Sequence, residues 1–336
     1  MTSDLIVRRY GPVGRITLNR PQALHALTLA MVEAMTQAFS DWRDDPSVAR
    51  ILIDHTEGTR GFCAGGDIRA LADSVRGDGK LMEAFFAAEY RLNVVIHNYP
   101  KPVIALMDGI VMGGGVGISV HGSHRIATQN TVFAMPETAI GLFTDIGAGW
   151  FLSRLSGELG TWLGLAGARL KGADVATAGI ATHYVADAQA FKAGLLAGGN
   201  ISNHAAPMVE PAYGPHMAEI NRAFAFDTVP EIITALEAGS DWAQRQADIL
   251  KTSCPVSMAV TLKHLRMGRA MTRFEDVMAQ EYRLARRLTR RADFAEGVRA
   301  VVVDKDQNPQ WLPARPVDVD NALITELFTP LSPELF

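Results

Sequence analysis

Gly61-Phe62-Cys63-Ala64-Gly65-Gly66-Asp67-Ile68, and later Gly109-Ile110-Val111-Met112-Gly113-Gly114-Gly115-Val116-Gly117, decide how this chain reads. Both are glycine corners that open into a helix. Pro102 to Met107 is strand-like and feeds the second corner, and Gly113 opens the helix after it. One reading needs these glycines only for tight turns and close packing. A chemical reading is narrower. Helix starts leave backbone N–H groups without partners and carry the positive end of the macrodipole. Two such N–H groups aimed at one point stabilise an enolate or a tetrahedral oxyanion, and a β-carbon there would block the substrate carbonyl. Nucleotide motifs do not fit. The sixth position from Gly113 or Gly115 is Ile118 or Val120, where a dinucleotide fingerprint needs Gly or Ala, and no Gly-Lys-Ser/Thr follows.

Outward from the corners, Leu5 to Tyr10 and Gly14 to Leu18 are β-rich runs broken by Gly11-Pro12, which predicts a hairpin. Thr28 caps a helix through Trp42, with Leu29, Val32, Met35, Ala38 and Phe39 at helical spacing. Arg50 to Asp54 is a short buried strand. Leu81, Phe85, Ala88, Leu92, Val95 and Tyr99 make one helical stripe. Arg125 to Thr128 and Thr131 to Ala134 are strand-like again. Such alternation of strand, turn and helix is α/β.

Gly198 to Pro215 shows little periodicity and reads as a long loop. Helices follow over Pro230 to Ala238, Asp241 to Leu250, Pro255 to Met267, Phe274 to Arg287 and Phe294 to Val303, and the Pro-rich tail after Asp304 reads as extended over the surface. The expected division is a core over 1–190, a variable loop and helical segment over 191–250, and a C-terminal helical region with its tail over 251–336.

With 336 residues, 48% of them hydrophobic, the chain can bury a large core. A formal charge of −4 offers no global field for nucleic acid or an anionic membrane, so a phosphorylated ligand must be held locally. Cys63 and Cys254 are the only cysteines, which fits a reducing compartment. The first residues read as strand rather than leader, and no apolar run reaches the ~20 residues of a membrane span. A cytoplasmic protein is expected.

Ile16-Thr17-Leu18-Asn19-Arg20-Pro21, the two glycine corners, and Met135-Pro136-Glu137 together resemble the crotonase superfamily. That resemblance implies a ClpP-like α/β spiral of ββα units with a helical C-terminal region that builds homo-oligomer contacts. It also implies an acyl-coenzyme A substrate, with no cofactor beyond the coenzyme A of that substrate and no metal. The N–H groups of Gly66 and Gly114 become the oxyanion donors, and backbone at Gln22, Ala23, Leu24, Ala64, Gly65, Asp67 and Ile68 holds coenzyme A. Asp67 has a second role open to it, capping the helix that follows, and that role is favoured.

Superfamily members differ in their carboxylates. Hydratases carry one glutamate soon after the triple glycine and another in the Pro-Glu pair. The second matches Glu137, but the first falls on Gly117, which has no side chain. Asp145 supplies a second acid instead. The segment from Met135 to Asp145 resembles 3-hydroxyisobutyryl-CoA hydrolases. So do Arg169-Leu170-Lys171-Gly172, Ala178-Gly179-Ile180-Ala181-Thr182-His183, Glu281-Tyr282-Arg283-Leu284, Glu296-Gly297-Val298-Arg299-Ala300 and Asp304 to Pro309. The implied activity is thioester hydrolysis, with Glu89, Gly114, Glu137 and Asp145 touching substrate. Glu137 acts as nucleophile or as general base on water. Asp145 either bonds the 3-hydroxyl or helps protonate the leaving thiolate. Glu89 lies at the edge of its apolar stripe, where a solvated role competes. A hydratase or isomerase, or a catalytically silent coenzyme A-binding subunit, are the alternatives.

Two departures bear on the acyl pocket: Thr144 stands where relatives usually have proline, leaving the Asp145 loop less stiffened, and His25 replaces a common asparagine. Other signals are set aside. Ser119 falls inside a helix, His121 and His124 lack a third metal ligand, and Cys63 reads as a buried thiol. Arg283, Arg286, Arg287, Arg290 and Arg291 read as a solvated helix face or a subunit contact, with a coenzyme A phosphate contact in reserve.

Overall fold

The first hairpin forms as the sequence predicts: β1 (Leu5–Tyr10) pairs antiparallel with β2 (Val13–Leu18) across Gly11-Pro12, Gly11 taking φ 53. The computed structural model describes residues 3–201 and 210–336, so the middle of the long loop lies outside the described residues. The further strands are β3 (Arg50–His55), β4 (Gly61–Cys63), β5 (Val103–Met107), β6 (Ile110–Met112), β7 (His124–Thr128), β8 (Val132–Ala134), β9 (Leu170–Lys171) and β10 (His183–Val185). They form two sheets, ordered β1-β2-β3-β5-β7-β10 and β4-β6-β8-β9. Parallel pairs join β2 through β10 in the first and β4 through β8 in the second. After the β1–β2 hairpin each chain pass adds one strand to each sheet, which is the spiral of ββα units. The three-residue strand β6 was not legible as a strand, being too short for any period to register.

Early helices are α1 (Leu29–Arg43), α2 (Ile68–Arg76), α3 (Lys80–His97), α4 (Gly114–Val120), α5 (Ala148–Phe151), α6 (Leu159–Ala166), α7 (Ala173–Thr177) and α8 (Ala188–Leu196). Later ones are α9 (Met217–Ala223), α10 (Val229–Glu237), α11 (Asp241–Thr252), α12 (Pro255–Ala270), α13 (Phe274–Leu288), α14 (Ala292–Val298) and α15 (Asn321–Leu327). Thr28 caps α1 by accepting from Met31 N at 3.3 Å. On α3 the expected stripe is buried at Phe85 and Leu92, but Leu81 is 42% exposed and Tyr99 lies beyond the helix end. The helix expected over Phe294 to Val303 stops at Val298 and continues as a π-helical turn.

The chain divides into two compact units that interleave in sequence. One comprises Met1–Asp67, Ala88–Ala134 and Arg169–Pro211, the other Ile68–Ala87, Met135–Ala168 and Ala212–Phe336. Divisions at 190 and 250 do not follow these boundaries. The first unit holds both sheets. Leu52, Ile104, Leu106 and Ile126 point from the larger sheet onto Phe191 and Leu195 of α8. Each such side chain contributes about 1.5–3 kcal/mol of burial.

The second unit is helical. Its tail is not merely extended: it carries α15, and the arginines of α13 hold it. Arg283 forks onto Glu334 at 2.9 and 3.0 Å, and Arg287 donates to Leu327 O and Thr329 O. Arg286 and Arg290 meet Glu83, and Arg291 meets Asp293 at 3.1 Å. The cluster thus ties elements of its own unit together, while Arg290 keeps 53% of its side chain exposed. Among the described residues no helix is long and apolar enough to cross a membrane.

Candidate active site

In the first unit, residues 24–27 run beside residues 64–67. Ala64 N donates to Leu24 O at 3.0 Å, Leu27 N to Gly65 O at 2.8 Å, and Asp67 N to Leu27 O at 2.9 Å. The parallel bridge between Leu27 and Gly66 uses the amides on either side of Gly66, so the Gly66 N–H turns the opposite way. What lies there is the start of α4. Gly113 takes φ 45 and ψ −126, which only glycine adopts freely, and this swings the N–H of Gly114 out at the first helical position. A β-carbon on Gly114 would stand 3.3 Å from Gly66 N and 3.2 Å from Leu27 Cδ1, and would collide with Glu89 Oε1. Three residues singled out from the sequence, Gly66, Gly114 and Glu89, therefore meet at one point. Glu89 is 2% exposed, so the solvated reading of it fails.

Of the coenzyme A segments expected, Leu24, Ala64, Gly65 and Asp67 lie in this pairing, Gln22 and Ala23 form the 3-10 turn Pro21–Ala23 just before it, and Ile68 begins α2. Asp67 accepts from Arg20 Nη2 at 2.7 Å, and Arg20 Nη1 donates to Ala26 O at 3.1 Å. That ion pair is a role the cap reading did not include. Cys63 is wholly buried, and burial pushes its thiol up to about 12, as suits packing rather than chemistry. Ser119 lies inside α4, donating to Gly115 O at 2.8 Å. Among the described residues no three His, Cys, Asp or Glu side chains gather as for a metal.

His25 ties the turn at Arg20 to the loop at Thr59. Its Nδ1 accepts from Arg20 N at 2.9 Å, leaving the proton on Nε2, which faces Thr59 Oγ1 at 3.0 Å. Burial, with a smaller contribution from His55, pushes His25 down from 6.5 to about 4. Between those values the unfolded chain binds a proton that folded His25 refuses. This contribution is complete above about pH 6.5 and is lost as pH falls towards 4, by at most about 3 kcal/mol. Urea titrations across that window should show a shallower pH slope for His25→Asn than for wild type. Equal slopes would remove His25 as the cause.

In the second unit, Glu137 opens a 3-10 turn, Glu137–Ile140, and is 4% exposed, and Asp145 is 3% exposed. Leu142 N donates to Glu137 O at 3.1 Å, Thr138 Oγ1 to Leu165 O at 3.1 Å, and Cys254 N to Thr138 O at 2.9 Å. The turn is thereby pinned on three sides. Thr144, expected to loosen the next loop, does the reverse. Its N–H donates to Thr261 Oγ1 at 3.1 Å and its hydroxyl to Gly164 O at 2.8 Å, so hydrogen bonds replace the stiffness a proline would supply. His264, Gln280 and Glu281, buried together against the Gly147 and Gly149 amides, were not singled out from the sequence as a group. The signal was there: an acid at Glu281 in the stripe of Val277, Leu284 and Leu288, where an apolar residue is expected.

The family profile described as "Enoyl-CoA hydratase/isomerase" matches residues 13–328. A Gallus gallus protein named 3-hydroxyisobutyryl-CoA hydrolase, mitochondrial, is 43% identical, covering 98% of this chain and 89% of that protein. A crystal structure titled as a carnitinyl-CoA dehydratase from Mycobacterium thermoresistibile superposes at TM-score 0.95, with 39% identity, over 100% of this chain and 99% of the other. One titled as an enoyl-CoA hydratase from Rhodobacter sphaeroides 2.4.1 gives TM-score 0.93 and 40% identity over 99% and 100%. The cytoplasmic expectation is overturned by the Gallus gallus relative, which is a mitochondrial protein. Reduced thiols never separated those two compartments.

Proposed function

The chain belongs to the enoyl-CoA hydratase/isomerase family, and from that premise we propose that it is a thioesterase that hydrolyses 3-hydroxyisobutyryl-CoA to the free acid and coenzyme A. The approach of the Gly66 and Gly114 amides carries the reading: such a pair receives the thioester oxygen as it gains charge, which is where catalysis gains most. Glu137 supplies the attack, either on the carbonyl carbon to give a mixed anhydride or by taking a proton from water. The CoA thiolate leaves and is protonated, and one water is consumed in all. Asp145 recognises the 3-hydroxyl, and Glu89 lines the acyl group beside Gly114. Backbone at Gln22, Ala23, Leu24, Ala64, Gly65, Asp67 and Ile68 holds coenzyme A, which enters as part of the substrate, and the reaction needs no other cofactor. We extend the reading to a homo-oligomer and to a valine-catabolic step, the first testable by particle mass in solution.

The likeness to a carnitinyl-CoA dehydratase and an enoyl-CoA hydratase favours a second reading, hydration of a double bond. Against it stands Gly117, inside α4, which has no carboxylate to share a water with Glu137. Thiol release from 3-hydroxyisobutyryl-CoA is expected, with little hydration of crotonyl-CoA. Rapid loss of the crotonyl-CoA enone absorbance without free thiol would reverse the assignment.

A further inference from the structure

Asp145 sits on a loop that does not hold its shape by local preference. Ile146 and Gly147 follow it at φ 53 and φ 82. A β-branched residue in that region is an outlier, and such residues persist where their surroundings over-determine them. Backbone N–H groups turned to one side of a loop make an anion-binding concavity. Gly147 and Gly149 present theirs, while Ala148 N donates back to Asp145 O. Here the anion is part of the chain. Gly147 N donates to Glu281 Oε2 at 2.7 Å, and Gly149 N points at Glu281 Oε1, 3.4 Å away.

Glu281 projects from α13 with no exposed surface, and its Oε1 lies 2.7 Å from Nε2 of His264, equally buried on α12. Gly149 N is also 3.1 Å from that ring nitrogen, and Gln280 Nε2 is 2.8 Å from His264 Nδ1. Burying a carboxylate this deeply is costly unless its oxygens are engaged, and an apolar side chain would fill the space at less cost. What the carboxylate engages is the backbone immediately after Asp145. Thr144 is clamped on the other side by Thr261 and Gly164.

We propose that Glu281, braced by His264 and Gln280, is a positioning residue that fixes the Asp145 backbone and so sets the preference for a 3-hydroxyacyl group. The specificity half rests on the role given to Asp145 above. The test is a double-mutant cycle with Glu281→Gln and Asp145→Asn, read as kcat/KM on 3-hydroxyisobutyryl-CoA and isobutyryl-CoA. Glu281→Gln keeps the size and one acceptor oxygen but removes the charge that gathers the N–H groups. It should cost the hydroxylated substrate about tenfold and the other no more than about twofold, and add nothing further in the Asp145→Asn background.

An unchanged substrate ratio, or the same loss in both backgrounds, overturns the proposal. If Asp145→Asn slows both substrates alike, the recognition role of Asp145 falls. The proposal then stands or falls on the coupling between the two substitutions measured on either substrate. Should Glu281→Gln not fold, His264→Gln, which removes the brace and keeps the carboxylate, goes through the same cycle with the same outcomes.

Discussion

Glu137→Gln is expected to slow thiol release by a factor of about 10²–10⁴, and to do so equally for 3-hydroxyisobutyryl-CoA and isobutyryl-CoA. The amide keeps the shape of a side chain that is 4% exposed and sits on a turn pinned through Thr138, so the fold has little reason to change. What disappears is the carboxylate that attacks carbon or takes the proton from water, and neither step involves the 3-hydroxyl. A lesion of that kind falls on kcat and kcat/KM together, whatever the acyl group. Measured with matched substrates, a loss confined to the hydroxylated one would move Glu137 from chemistry to recognition.

Gly114→Ala should be nearly as damaging, by a factor of about 100 or more, for a different reason. The N–H remains, but the added methyl has nowhere to go. It meets Glu89 Oε1 and stands 3.3 Å from Gly66 N, in the space a thioester oxygen needs. The oxygen is displaced from both donors at once. Because the methyl intrudes on substrate space rather than on the sheets, circular dichroism of the variant should match wild type. Turnover close to normal in such a folded variant would move the oxyanion site elsewhere.

The sequence by itself determined the periodic elements. Phe39 on α1 and Phe85 on α3 repeat at helical spacing over many residues, and the hairpin from Leu5 to Leu18 declares itself by its break at Gly11-Pro12. It also determined which residue types were available: glycines where a helix begins, and acids at Glu137 and Asp145. Tertiary structure alone decided what meets what. Gly66 and Gly114 approach because parallel pairing of β4 with β6 brings two distant corners side by side, and no local pattern encodes that pairing. Glu89 lay at the edge of its stripe, and tertiary packing buried it beside Gly114. Thr144 gains from Thr261 and Gly164 the stiffness a proline would supply, while Arg283 and Arg287 of α13 found their partners in the tail. Local backbone preferences are written in each residue and its neighbours, whereas the partner of a buried polar group is chosen by whichever distant atom can satisfy it.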